Sequence, residues 1–347
     1  MKKLLFIGLA VTALFTACSN DESIDQPAAK AIAFDNAFVD NSTRIGSTGD
    51  PSTKLTNFTN FGVYGFMDNT GGTLFTNLEV TRDPETQICT YGKPSYWIAG
   101  KKYYFAAIAP SDNGNGATVT VEENGSIKTV ISEFTNDGKT DLLYAPTVIT
   151  DLSGKEAATL ADPGSVKFTF KHILSKAKFT FVNDFASSNA TIKVTNICIT
   201  NAKKKAKATM AGEGCVWSDW ASETMTLAFG NAVEDKSPSK DAGSIAQKAE
   251  YESFNEMLMI PATSAYEVTF TVNLFYGTAS GGTYNLKTTI KSLELKPGYS
   301  YDFKATLNDT NIRPDNPQWP IEFSVTELTE WKDGTTIDPP FGPITNP

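Results

Sequence analysis

Histidine is all but missing: His172 is the single imidazole in 347 residues. That shortage excludes a multi-histidine zinc centre and leaves one imidazole base for any proton transfer. A catalytic His172 would need a nucleophile and an orienting acid, and no G-x-S-x-G elbow supplies the serine. His172 is therefore read as structural, at the end of a strand. Arginine is nearly as scarce, with only Arg44, Arg82 and Arg313. Net charge is −9 and no basic stretch is interleaved with aromatics, so nucleic acid is not expected as a partner. The Lys203-Lys204-Lys205 run reads as a solvated turn. There is no G-x-x-x-x-G-K-[ST] phosphate loop and no calcium-loop spacing. The acidic residues leave room for a glycosidase-type carboxylate pair, but nothing singles one out. No enzyme activity, metal or cofactor is expected. Four cysteines, Cys18, Cys89, Cys198 and Cys215, fit no metal motif. In an oxidising compartment the last three allow one disulfide and one free thiol, with Cys198 and Cys215 the nearest pair.

Long apolar runs are also rare, and the one at the start has a recognisable form. Met1-Lys2-Lys3 precedes an apolar stretch from Leu4 to Phe15, broken only by Gly8 and Thr12. A spanning helix needs ~20 apolar residues, so this length suits an export signal. Thr16 and Ala17 are small and stand directly before Cys18, as in a lipobox, although Phe15 replaces the commoner leucine. Residues 1–17 are thus expected to be a signal peptide. Cys18 is expected to carry fatty acyl chains (palmitate) as the first residue of a lipoprotein. Ser19-Asn20-Asp21-Glu22 is polar and acidic, and resembles a signal for display on the outer face of an outer membrane. Residues 18–30 read as a flexible tether.

What the chain has in abundance is alternation. Val166, Phe168 and Phe170 alternate with Lys167, Thr169 and Lys171. Ala177-Phe179-Phe181, Val268-Phe270-Val272-Leu274, Tyr299-Tyr301-Phe303-Ala305-Leu307 and Ile321-Phe323-Val325 do the same. Turn clusters such as Asn69-Thr70-Gly71-Gly72 and Glu123-Asn124-Gly125 separate the runs, and no long stretch holds a helical period. Many short strands joined by such turns predict an all-β sandwich.

An internal echo sets the number of sandwiches. Residues 100–107 and 298–305 share the pattern G-x-x-Y-x-F-x-A, with Gly100 and Gly298 placed for positive φ. Tyr103, Phe105 and Ala107, and again Tyr301, Phe303 and Ala305, would enter one core face. Two related sandwiches are expected, spanning 31–170 and 171–347.

These features together resemble the fimbrillins, shaft and accessory subunits of the type V pili of Bacteroides-type bacteria. The resemblance rests on the lipobox at Cys18, then Ser42-Thr43-Arg44. It continues with Tyr96-Trp97-Ile98-Ala99-Gly100 through Tyr103, Phe105 and Pro110, and ends with Phe170-Lys171-His172-Ile173-Leu174-Ser175-Lys176. The Lys296-Pro297-Gly298 turn and Trp331 also fit. The resemblance implies two transthyretin-like β-sandwich domains in tandem and a cell-surface structural and adhesive role. It further implies outer-membrane attachment through the lipid and cleavage after an arginine by a trypsin-like protease. Loss of the first strand then opens a groove, filled by a strand of another pilus subunit.

Arg44 and Ile45 stand in polar Ser/Gly-rich surroundings, where a protease could bind an extended chain. Ile32, Phe34 and Phe38 would belong to the removable strand. Arg313 precedes Pro314, which hinders such cleavage, and Arg82 occupies a Thr-Arg-Asp-Pro turn. The tail from Asp338 to Pro347 is too rich in proline to donate a strand. The donor candidate is Ile321, Phe323 and Val325, which its own domain also needs, so shaft and tip positions both stay open. The alternative is a glycan-binding surface lipoprotein of a polysaccharide-uptake system, using Trp217 and Trp220 as sugar platforms.

Overall fold

The computed structural model describes residues 30–39, 59–68, 72–83, 86, 88–156, 160, 163–234, 241–312 and 321–328. Among these residues there is no α-helix, only strands and one 3-10 turn at Ser111–Gly114. The chain is all-β, as the alternation predicts.

The first sheet has seven strands in the order β1 (Phe34–Val39), β9 (Val166–His172), β8 (Leu143–Asp151), β5 (Lys102–Ala109), β2 (Asn60–Met67), β3 (Gly72–Arg82) and β4 (Cys89–Thr90). Neighbours are antiparallel except β1 and β9, which run parallel. β8 and β9 pair only through Leu143 with His172 and Tyr144 with Lys171, so the sheet turns a corner there. Beyond the corner, β1 and β9 lie over β2, β3 and β5. Phe61 meets Phe168 and Phe170 at 5.8 and 5.5 Å between ring centroids, and Phe34 meets Phe75 and Phe105 at 5.9 and 6.2 Å.

The other face of β2 and β5 packs on a second sheet, ordered β13 (Gly214–Ser218), β12 (Lys205–Ala211), β7 (Ile127–Thr135) and β6 (Thr118–Val121). Tyr64, Tyr104, Ala106 and Ile108 meet Ile131, Phe134, Ala208, Met210 and Trp217 there. β2 and β5 are consequently buried on both faces along almost their whole length. Tyr103, Phe105 and Ala107 do share one core face. Tyr104, Ala106 and Ile108 fill another, because a strand between two layers needs apolar residues at every position. β12 and β13, which follow residue 170, complete the sheet begun by β6 and β7, which precede it.

The remaining strands form a sandwich of their own. One sheet runs β15 (Ala232–Val233), β16 (Glu250–Ser253), β10 (Ser175–Asn183), β20 (Ser300–Leu307) and β21 (Phe323–Leu328), with β17 (Met257–Met259) also on β10. It faces β14 (Thr224–Gly230), β11 (Ala190–Lys203), β18 (Thr263–Tyr276) and β19 (Ala279–Glu294). Phe179 anchors this core, with Phe229, Phe303 and Phe323 at 4.7, 5.3 and 5.4 Å. β10 and β20 run parallel in unbroken register from Lys176–Ser300 to Asn183–Leu307.

The two copies of G-x-x-Y-x-F-x-A fold alike. Gly100 and Gly298 both have φ of 76°. The fully buried Tyr103 accepts a hydrogen bond from Ile98 N at 2.7 Å, and Tyr301 accepts one from Lys296 N at 2.8 Å. Each hydroxyl thus pins the chain five residues upstream, in the manner of a tyrosine corner.

Candidate functional site

Residues 30–39 combine the two properties an exchangeable strand requires: they fill a core, and they occupy an edge. Alternation decides which side chains go in. Ala31 and Ala33 face solvent, whereas Ile32 and Phe34 are 1% and 4% exposed. The backbone is held from two directions. Trp97 N donates to Lys30 O at 2.9 Å and Ile32 N donates to Ser95 O at 2.7 Å, an antiparallel contact about the Ala31–Tyr96 bridge. Val166 N then donates to Ala33 O at 2.8 Å, and from Phe34 onward the segment runs parallel to β9.

Four aromatic rings line the slot for Phe34. Phe75, Tyr91, Phe105 and Phe168 lie at 5.9, 5.3, 6.2 and 5.9 Å between centroids. The Tyr91 hydroxyl donates to the Ile32 carbonyl, and burial pushes that phenol above its ordinary range. β1 is the last strand of its sheet, and among the described residues it is the strand partner of 166–170. Sequence patterning singles out Ile32 and Phe34. It gives no sign of Tyr91 or residues 95–97 as partners, because that pairing is set by distant packing.

The other candidates are distributed more widely. Cys18, Arg44 and Ile45 lie outside the described residues, as do Arg313 and Trp331. Arg82 ends β3 and is 3% exposed; burial pulls its guanidinium below the usual range. A protease that must engulf an arginine side chain has no access to it in the folded chain. Ile321 is buried, and Phe323 and Val325 are half-buried on the approach to and along β21, an edge strand antiparallel to β20. Phe323 packs on Phe179, Phe181 and Phe270. Thr288 Oγ1 donates to Ile321 O at 2.8 Å. The first and last described segments therefore both present Ile-x-Phe with both side chains turned inward: Ile32-Ala33-Phe34 and Ile321-Glu322-Phe323.

Trp217 is 6% exposed; its indole donates to Ile173 O at 2.8 Å and its ring meets Phe134 at 5.6 Å. Trp220 is 42% exposed and donates to Pro261 O at 3.1 Å. The two rings do not share an exposed face. His172 is bonded through Nδ1 to the Asp141 carboxylate next to the β8–β9 corner. Among the described residues no disulfide joins Cys89, Cys198 or Cys215, and burial pushes the Cys215 thiol up to about 12. Among the described residues there is no cluster of three or more metal-ligating side chains, and no helix long and apolar enough to cross a membrane.

Residues 43–322 match a family model described as fimbrillin-like. Among solved structures, a fimbrial protein of Bacteroides vulgatus is similar over 86% of this chain and 100% of its own, at 16% identity and a TM-score of 0.53. The fimbrial anchor protein Mfa2 of Porphyromonas gingivalis aligns over 87% of this chain and 98% of its own, at 10% identity and a TM-score of 0.32. The first likeness speaks to the fold alone. No curated protein matches significantly.

Proposed function

This chain belongs to the fimbrillin-like family, and on that premise we propose that it is a structural and adhesive subunit of a cell-surface pilus, polymerised by strand complementation after a cut between Arg44 and Ile45. The observation that carries the proposal is the placement of residues 30–39. Ile32 and Phe34 fill a core slot from a sheet edge, and residues 40–59, which include Arg44, join that strand to β2. A cut there leaves β1 held by non-covalent contacts alone.

Release of the segment uncovers the aromatic slot and the hydrogen-bonding edge of residues 166–170. An incoming strand must repeat what β1 supplies: two large apolar side chains two positions apart, and a free backbone. Ile321-Glu322-Phe323 of a neighbouring subunit has that spacing. Cys18 holds the precursor to the outer membrane before the cut, a trypsin-like protease makes it, and other subunits are the partners. We read the body as two sandwiches, the first completed by β12 and β13.

Limited trypsin digestion of the full chain tests this, with intact mass to locate the cut and unboiled gels to detect multimers. A single cut after Arg44, followed by multimers and abolished by Arg44→Ala, is the expected outcome. A cut that leaves a monomer as stable as the intact chain removes strand exchange from consideration.

A further inference from the structure

The outward face of β16, β10 and β20 carries a group of side chains that strand exchange does not use. Lys178 and Asp302 are directly opposed in the parallel register of β10 and β20. Both point away from the aromatic core, which takes Phe179 and Phe303. Lys178 Nζ is 4.0 Å from Asp302 Oδ2, and on its other side it contacts the Glu252 carboxylate of β16 directly. Thr180 is 3% exposed and places its hydroxyl 2.8 and 2.9 Å from the two Asp302 oxygens, fixing that carboxyl beside the lysine.

Lys178 and Asp302 are largely shielded from water, whereas Glu252 keeps 39% of its side chain exposed. The Lys178 and Asp302 side chains are 14% and 18% exposed, against 39% and 54% for the neighbouring Lys304–Glu250 pair. Burial pushes the Asp302 carboxyl up, toward its neutral form. For Lys178 burial works against the charge, but Glu252 and Asp302 together outweigh it and hold the ammonium. The Lys178 ammonium therefore stands between two carboxylates, Glu252 in direct contact and Asp302 at 4.0 Å. Moving a proton from Lys178 to Asp302 creates an amine beside a carboxylic acid with no change in the charge of the group.

We propose that Lys178 and Asp302 join in an intramolecular isopeptide bond, with Glu252 as the proton relay and Thr180 as a positioning residue. The neutral Lys178 amine donates its lone pair to Cγ of the protonated Asp302, and a carbon–nitrogen bond forms. Glu252 takes a proton from that nitrogen and returns one to the departing hydroxyl. The carbon–oxygen bond breaks, and one water leaves. The step needs no oxidant, reductant or further reactant.

The bond ties the strand that opens the second sandwich to the strand before its last. It closes residues 178–302 into a covalent ring, so β10 and β20 cannot separate by sliding. Its use in a polymer under tension rests on the pilus role; its formation rests on Lys178, Asp302 and Glu252 alone.

Intact mass of the purified full chain, followed by fragmentation of its proteolytic peptides, tests the bond. The chain should be lighter by one water, with a branched peptide linking Lys178 to Asp302. Lys178→Ala and Asp302→Ala should each restore the full mass. Glu252→Gln should slow formation by at least about 100-fold, the scale of a lost proton relay. A wild-type chain of full mass, with unmodified Lys178 and Asp302 peptides after prolonged incubation, reduces the group to an ion pair and overturns the proposal. A lost water that maps to Asp137-Gly138 as a succinimide overturns it as well. Both readouts come from the wild-type chain, so a variant that fails to fold does not blunt the test. They are also independent of the trypsin cut at Arg44.

Discussion

Truncating Phe34 to alanine isolates the contact on which strand exchange depends. The ring is 4% exposed and lies against four aromatic neighbours at 5.3 to 6.2 Å. Phe→Ala at such a site costs about 3–5 kcal/mol from lost transfer energy and the cavity left behind. At ~2–4 °C per kcal/mol for a folding unit of this size, the melting temperature should fall by roughly 6–20 °C. Near-UV circular dichroism reads the loss directly, because the surrounding rings report on their own packing. Ala33→Ser is the matched control: Ala33 faces solvent, and the change should stay within about 0.5 kcal/mol. The same arithmetic bears on the whole segment. Burial of Ile32 and Phe34 contributes ~1.5–3 kcal/mol each, and the three backbone hydrogen bonds of residues 30–33 ~0.5–1.5 each. The total, about 5–10 kcal/mol, is comparable with the stability of an entire domain. A cut chain that loses this strand must refill the slot or aggregate. A Phe34→Ala protein that melts within about 1 °C of wild type would show that Phe34 is not seated in the core, and the reasoning would fail with it.

Other consequences are as direct. Tyr103→Phe and Tyr301→Phe should each cost about 1–3 kcal/mol in chemical denaturation, since each strands a backbone N–H at the same place in the two repeats. Gly298→Ala forces an L side chain to φ of 76° with its Cβ 3.0 Å from the His172 carbonyl oxygen, and should lose roughly 1–3 kcal/mol. Trp217→Ala should cost ~3–5 kcal/mol and Trp220→Ala less than ~1, read by thermal melting. With its thiol pushed up to about 12, Cys215 should resist iodoacetamide at pH 8 in the native protein, where only ~1 in 10,000 is thiolate. Denaturation should make it react at the rate of an ordinary cysteine.

The fold was legible wherever a strand keeps one face in water. Tyr266, Val268, Phe270, Val272 and Leu274 of β18 are all buried and their neighbours are not, as the alternation requires. β5 was harder, since Lys-Tyr-Tyr-Phe-Ala-Ala-Ile-Ala carries no polar face from which to read its direction. The lysine run at 203–205 bridges β11 and β12, with Lys204 and Lys205 paired to Glu223 and Glu133. That a hairpin beyond it would join β7 could not be read, because Thr209 and Val130 meet across a gap of many residues with no local signal. The candidate site divides in the same way. Ile32 and Phe34 announce themselves by alternation, whereas parallel pairing with β9 and the antiparallel contact at Tyr96 depend on how the sheet turns its corner.

Hydrogen exchange at residues 95–97 and 166–170 tests strand exchange most directly, followed in the intact chain, in the chain cut after Arg44, and in the assembled polymer. These amides and carbonyls face β1 and its extension in the folded chain. Strand exchange predicts protection in the intact chain, loss of protection once residues up to Arg44 have left, and its return on polymerisation. Protection that persists unchanged after the segment has gone would contradict it, because the edge would then be satisfied by something other than β1 or a strand that replaces it.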